Sequence, residues 1–318
     1  MEILSENSTF GEWADLWVER KTYGQNYKYC QSVLSLVKHL RCFYNKPINQ
    51  IRVIDIDNVI LKLSIYNVNT HKPASRKLLK NIKQTAISIF KFAINNCEAL
   101  YRNPAELVEI PQDTIKNYRK PLSMAEQTIV LETPHRARLA ALIMMFCGLR
   151  LGELIALEWS NIDFTKRVMH ICQSAYNVSG NQLKIKAGTK NGKSRKITIP
   201  DILLKILIAE YLTKSNKTEF VVTKADGISM HTRSSWSRMW QSYNKALDLN
   251  FTAHQLRHTY ATMLYHSGVD IKSASELLGH TNIEITMNIY THLMNEHKVI
   301  SISKYDQFLN RNFGEVCR

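Results

Sequence analysis

The chain has 318 residues, 45% of them hydrophobic, and carries 42 Lys+Arg against 27 Asp+Glu, a formal net charge of +15. That length suits two globular domains with a core each. The longest apolar run, Leu139 to Cys147, is too short to cross a bilayer, and the opening decapeptide, with two Glu and no basic cluster, does not read as a signal peptide, so the expectation is a cytoplasmic protein away from membranes whose basic surface attracts a polyanion.

Residues 9 to about 111 read as a helical domain. Thr9 can cap a helix whose Phe10, Trp13, Leu16 and Trp17 recur at helical spacing. The same spacing predicts a helix over 27–44 with Val33, Leu34, Leu36, Val37 and Leu40 on one side. It predicts a short helix over 55–63 and a long one from Ser75 through Leu79, Ile82, Ala86, Phe90 and Ile94. Strand alternation of any length is missing here. Through Pro111 there are fifteen Lys+Arg and ten Asp+Glu, a net of +5. Both parts of the chain are therefore basic.

Pro104 ends the long helix. The stretch 112–122, polar and basic with Lys116, Arg119 and Lys120, reads as a linker between a first domain, 1–111, and a second, 123–318. Ser123 and Glu126 form a capping-box signature for the helix that starts the second domain. Residues 136–146 turn apolar on nearly all sides after Arg138, which predicts a buried helix. Gly148 can break that helix at positive φ, so Arg150 falls at a helix-to-helix junction, where a side chain can be aimed.

From 162 to 200 the pattern changes to short alternating runs, Val168 to Cys172, Leu183 to Lys186 and Ile197 to Ile199, with turns at Ser179-Gly180-Asn181 and Asn191-Gly192. One small antiparallel sheet is expected, its last hairpin carrying Lys184, Lys186, Lys190, Lys193, Arg195 and Lys196. Such lysines also serve as guards of a solvated edge strand. Helices resume at Asp201, and 234–247 is an aromatic-rich helix with Trp236 and Trp240. The fold class is thus mainly α with a small antiparallel β-sheet in the second domain.

The six cysteines, at 30, 42, 97, 147, 172 and 317, form no C-x-x-C pair and no zinc spacing, so free thiols and no structural metal are expected. His254 and His258 stand at the i, i+4 spacing of a zinc pair. However, Gln255 occupies the place of a metalloprotease glutamate and Arg257 sits between them.

The set Gly148-Leu149-Arg150-x-Gly152-Glu153, Lys190 in a basic hairpin, His254-x-x-Arg257-His258, Leu278-Gly279-His280 and Tyr290 ten residues later resembles the tyrosine recombinases, the lambda-integrase-like family of phage integrases. Each piece alone is weak; five in order are specific. The resemblance covers about 112–300 and extends more weakly to the helical first domain, which is similar to the family's core-site-binding domain. It implies a helical core-binding domain followed by an α+β catalytic domain, and site-specific recombination through a 3′-phosphotyrosine intermediate without metal, ATP or other cofactor. Implied partners are double-stranded DNA with inverted core sites and a self-assembled tetramer, in the cytoplasm and on the bacterial nucleoid when bound.

Elementary chemistry agrees. Breaking a phosphodiester needs an in-line nucleophile, charge neutralisation and a proton for the leaving oxygen. Arg150 and Arg257 can clamp the non-bridging oxygens, a task metal ions perform elsewhere. Tyr290 is the expected nucleophile, though a tyrosine in isolation is more often a core or surface residue. Lys190 and Lys193 flank the Asn191-Gly192 turn and both could serve as general acid; the resemblance, which places the family's lysine before the turn, implies Lys190, with Lys193 the rival. His254 would bond the phosphate or take the phenolic proton, and His280 would donate to the phosphate. Glu153 would orient the arginines, and His258 is expected to be structural. Lys116, Arg119, Lys120, Lys184, Lys186, Lys193, Arg195 and Lys196 are expected to face DNA.

The resemblance also implies that a segment from about 297 to 312 docks on a neighbouring subunit. With the first helix beginning near Thr9, room for a separate arm-binding domain is not expected, which suits a simple recombinase of a phage, an integrative element or a chromosome-resolving pair. Two other readings stay open at this point: a type IB topoisomerase and a non-catalytic DNA-binding regulator on the same scaffold.

Overall fold

A computed structural model describes residues 4–25, 27–68, 70–97, 100–112, 120–178, 181–188, 194–214 and 216–291. The chain divides into two compact units, Met1–Tyr118 and Arg119–Arg318. Among the described residues no helix is long and apolar enough to cross a membrane.

The first unit is helical: α1 (Phe10–Thr22), α2 (Tyr27–Val37), α3 (Val53–Ile65) and α4 (Arg76–Asn96). Thr9 caps α1 in a reciprocal box with Glu12, and Ser75 caps α4 by accepting from the Leu78 amide. The helix expected over 27–44 is shorter than that. It tightens after Val37 into a 3-10 turn over Lys38–Phe43, and Leu34 stays exposed. The tighter turn brings Leu40 and Phe43 into the core with Phe10, Trp13, Ile56, Ile60, Leu79, Ile82 and Phe90. The opposite face of α4 leaves Lys77, Lys80, Asn81, Gln84, Lys91 and Asn95 exposed in one stripe.

The second unit starts with α5 (Met124–Glu132), capped by the Ser123–Glu126 box, followed by α6 (Arg138–Cys147) and the short α7 (Leu151–Ile155). All of α6 except Arg138 and Phe146 is buried, and this helix is the spine of the larger core. α8 (Asp201–Lys214), α9 (Arg233–Leu247), α10 (Ala253–His266) and α11 (Ile271–Leu278) follow the strands, and a last described helix covers 283–291. In α9 the stacked pair Trp236 and Trp240 carries the aromatic pattern into the core.

Among the described residues the strands form two sheets, where one was expected. β1 (Ile162–Asp163), β2 (Val168–Ile171) and β5 (Arg195–Thr198) make an antiparallel sheet in the order β1-β2-β5. β3 (Gln173–Asn177) and β4 (Leu183–Ala187) form a separate hairpin. The lysines expected on one hairpin are therefore divided. Lys184 and Lys186 stand exposed on β4, whereas Arg195 and Lys196 belong to β5, opposite Ile171 and His170 of β2. The physical reason is that Met169, Ile171 and Ile197 bury the same face of the larger sheet, a requirement that lysine spacing does not encode.

Candidate active site

Three arginines converge on the end of one helix. α11 stops at Gly279, whose φ of 63° ends it in the left-handed conformation. Its last carbonyls, at the negative end of the helix dipole, attract cations. Arg195 Nε donates to the Leu277 carbonyl at 2.9 Å, Arg257 Nη2 to Leu278 at 2.5 Å, and Arg150 Nη2 to Gly279 at 2.7 Å. Three consecutive carbonyls thus hold three guanidinium groups from three different elements, immediately before His280.

Each arginine is delivered by local structure. Gly148 closes α6 at φ 64°, and the chain enters α7 with Arg150 in the extended conformation at its N-terminal boundary. A Cβ at Gly148 would collide with the Tyr260 ring, so glycine is required there for space as well as for φ. Arg257 lies on the inner face of α10 and is only 4% exposed; its Nη1 donates to the Gly148 carbonyl at 2.6 Å. Burial, and after it the charge of Arg150, push the Arg257 guanidinium down to about 9, which still leaves it charged at neutral pH.

Glu153 is 1% exposed and sits between two of these cations. Its Oε1 accepts from Arg150 Nη1 at 2.8 Å and its Oε2 from the Arg150 amide at 2.9 Å. Burial raises its affinity for a proton, but the hydrogen bonds and charge of Arg195, with those of Arg150, outweigh this and hold its carboxyl at about 2. Glu153 is therefore a buried carboxylate bonded to both Arg150 and Arg195.

Arg195 does not fit its place among the cations expected to face DNA. Its side chain is 9% exposed and forks onto Glu153, Nη1 to Oε1 at 3.1 Å and Nη2 to Oε2 at 2.8 Å. Strand alternation carried the signal: Arg195 and the buried Ile197 share one face of β5, and Lys196 the other.

A cavity of about 620 Å³ is lined by Arg150, His254 and Arg257 together with Arg233, Trp236 and Gln241. His254, exposed in the first turn of α10, reaches it because Thr252 caps that helix by accepting from the Gln255 amide. Arg233 and Gln241 have no signal in sequence, because only the packing of α9 beside α10 brings them there. His258 is not among the lining residues. His280 Nδ1 engages the buried Thr286 hydroxyl at 2.8 Å. Burial, and then the charges of Arg257, Arg150 and Arg195, push His280 down to about 4, so the ring is neutral at physiological pH.

Tyr290 is 3% exposed on helix 283–291 and does not line the cavity. Its neighbour Ile289 packs on the cluster of Tyr260, Ala261 and Leu278, the last being the residue whose carbonyl Arg257 holds. Burial, then Asp270 and Tyr265, push the phenol up to about 12. Lys120 lines a different cavity of the second unit. Lys116, Arg119, Lys190, Lys193 and the segment from 297 lie outside the described residues. Among the described residues, no three His, Cys, Asp or Glu side chains gather as metal ligands.

Residues 117–297 match the phage integrase family. A tyrosine recombinase XerC-like protein of Caldanaerobacter subterraneus subsp. tengcongensis is 30% identical over 272 residues, which is 74% of this chain and 68% of the relative. The Tn1549 transposon integrase, solved in complex with a circular intermediate DNA, shares the fold with a TM-score of 0.74 at 20% identity, over 89% of this chain and 95% of that one. A lambda integrase tetramer bound to a Holliday junction gives a TM-score of 0.64 at 22% identity, over 86% of this chain and 78% of that one.

Proposed function

The chain belongs to the phage integrase family, and from that premise we propose how it performs site-specific recombination of DNA through Tyr290. The observation that carries this reading is the clamp of Arg150 and Arg257 on adjacent carbonyls, with His254 lining the same cavity. Arg150 and Arg257 bind the two non-bridging oxygens of one phosphate, and their charge stabilises the transition state without reorganisation. The Tyr290 oxygen attacks phosphorus as the bond to the 5′ oxygen breaks. The phenolic proton passes to His254, and Lys190 protonates the departing 5′ oxygen, with Lys193 as its rival. In the neutral tautomer whose Nδ1 accepts from the Thr286 hydroxyl, His280 keeps its hydrogen on Nε2 and donates it to the phosphate. The 3′-phosphotyrosine conserves the bond energy, so a free 5′ hydroxyl from another duplex can reverse the step.

The first unit supplies affinity for the core site. The exposed α4 stripe of Lys77, Lys80, Gln84 and Lys91 has the width of a helix face that enters a major groove. Lys120, Lys184, Lys186 and Lys196 contribute phosphate contacts, as do Lys116 and Arg119 of the linker. The finer reading is a tetramer on paired inverted core sites, exchanging tail segments from about 297, in the cytoplasm of a cell that carries a phage or another mobile element. Neither the topoisomerase nor the regulator reading gains support from the relatives, which are recombinases and integrases by name.

The test uses a nicked duplex bearing the consensus that the protein selects from a random-sequence duplex library. Wild type is expected to leave an SDS-stable protein–DNA adduct, and Tyr290→Phe none. An adduct that survives in Tyr290→Phe would overturn the assignment, as would tight binding by wild type without cleavage.

A further inference from the structure

Arg195 is engaged too deeply to serve as a phosphate contact, and we propose instead that it is a positioning residue, which keeps the Arg150 and Glu153 pair from closing into a neutral unit, holds Arg150 aimed and seats the helix end that carries His280. This inference rests on the recombinase reading above. Each oxygen of Glu153 accepts two hydrogen bonds, one from Arg150 and one from Arg195. The carboxylate is thereby fixed in its plane from two sides, by a fork whose two N–H groups match its geometry. The third engaged N–H of Arg195, on Nε, holds the Leu277 carbonyl.

The charge arithmetic gives Arg195 a purpose beyond packing. One carboxylate shared by two guanidinium groups leaves a net positive charge on the trio. Without Arg195, Glu153 would neutralise Arg150 alone, and a phosphate would meet a closed ion pair in its place. Hydrogen-bond geometry gives a second purpose. Gly279, whose carbonyl Arg150 holds, is also the residue against which Arg195 lies: a Cβ there would stand 2.9 Å from Arg195 Nη1. The absence of a side chain at Gly279 lets two arginines approach one helix end.

Two variants separate charge from orientation. Arg195→Met removes both, and Arg195→Lys keeps the charge without the fork. Full-length proteins are compared on the selected nicked duplex, well below each melting temperature, reading duplex affinity and the single-turnover rate of adduct formation on prebound DNA. Wild-type adduct formation is the control for the recombinase reading, and its failure would sink that reading separately. Both variants are expected to bind within about threefold of wild type and to cleave at least tenfold more slowly, Arg195→Met more slowly than Arg195→Lys. A purely structural residue would lower the melting temperature without changing the rate on folded, bound protein. A loss of cleavage smaller than tenfold overturns the proposal, as does a loss of binding in proportion to cleavage. If only one variant folds, it decides by the same criteria; if neither folds, Arg195 is a core strut and the proposal falls.

Discussion

The Tyr290 phenol donates its hydrogen bond to the Val269 carbonyl, at 3.3 Å, on the turn that leads into α11. The ring also meets Tyr265 edge-on, with centroids 4.9 Å apart. In this arrangement the phenolic oxygen is spent on the protein's own backbone, and the proposed attack on phosphorus requires it to leave Val269 first. A bond of that length between neutral groups contributes at most about 1 kcal/mol. Tyr290→Phe should therefore change the free energy of unfolding by less than about 1 kcal/mol, measured by urea denaturation, while it eliminates the DNA adduct. A larger loss of stability would mean that the phenol is a structural anchor.

Gly148 is expected to tolerate no side chain. Alanine there would adopt a left-handed φ and drive its Cβ into the Tyr260 ring, in a core with no slack. We expect Gly148→Ala to lose about 2–4 kcal/mol of stability, the range of overpacking combined with backbone strain. Because the Gly148 carbonyl also holds Arg257, cleavage should fall more steeply than stability. The pair of measurements is the urea midpoint and the adduct rate on one preparation.

Glu153 links stability to pH. Its folded value of about 2 lies below the ordinary 4.5. Its pairing is therefore fully present above about pH 4.5 and is lost as pH falls toward 2. That window corresponds to something on the order of 3 kcal/mol. Glu153→Gln should be less stable than wild type at pH 7, and the two should converge near pH 2. Urea midpoints across this range provide the comparison; a gap that stays constant with pH would show that the carboxylate charge is not the stabilising feature. His280 acts in the same direction at higher pH. It is depressed from 6.5 to about 4, so its contribution is complete above 6.5 and declines as pH falls toward 4.

The lysines of α4 make a prediction about salt. If Lys80 and Lys91 neutralise phosphates, each removes roughly 0.9 from the slope of log affinity against log salt concentration. The double replacement by alanine should lower that slope by nearly two and weaken binding to every duplex alike. Replacing Gln84 should instead alter the selected consensus with little change in slope. Repeating the library selection with each variant distinguishes the two roles.

The features legible along the chain were local ones. Thr9, Ser75 and Ser123 announced their helices because a cap is an interaction three residues long. The break at Gly148 and the buried helix before it followed from backbone freedom and apolar periodicity. The family resemblance rested on residues in a fixed order, and order is what a chain displays. Tertiary structure alone decided the partners. Arg195 meets Glu153 across 42 positions and Arg150 meets Gly279 across 129; β5 pairs with β2 and not with β4. No period or propensity spans such distances. They are set by which faces bury apolar surface together, and only then can one helix end gather three arginines from three separate places in the chain.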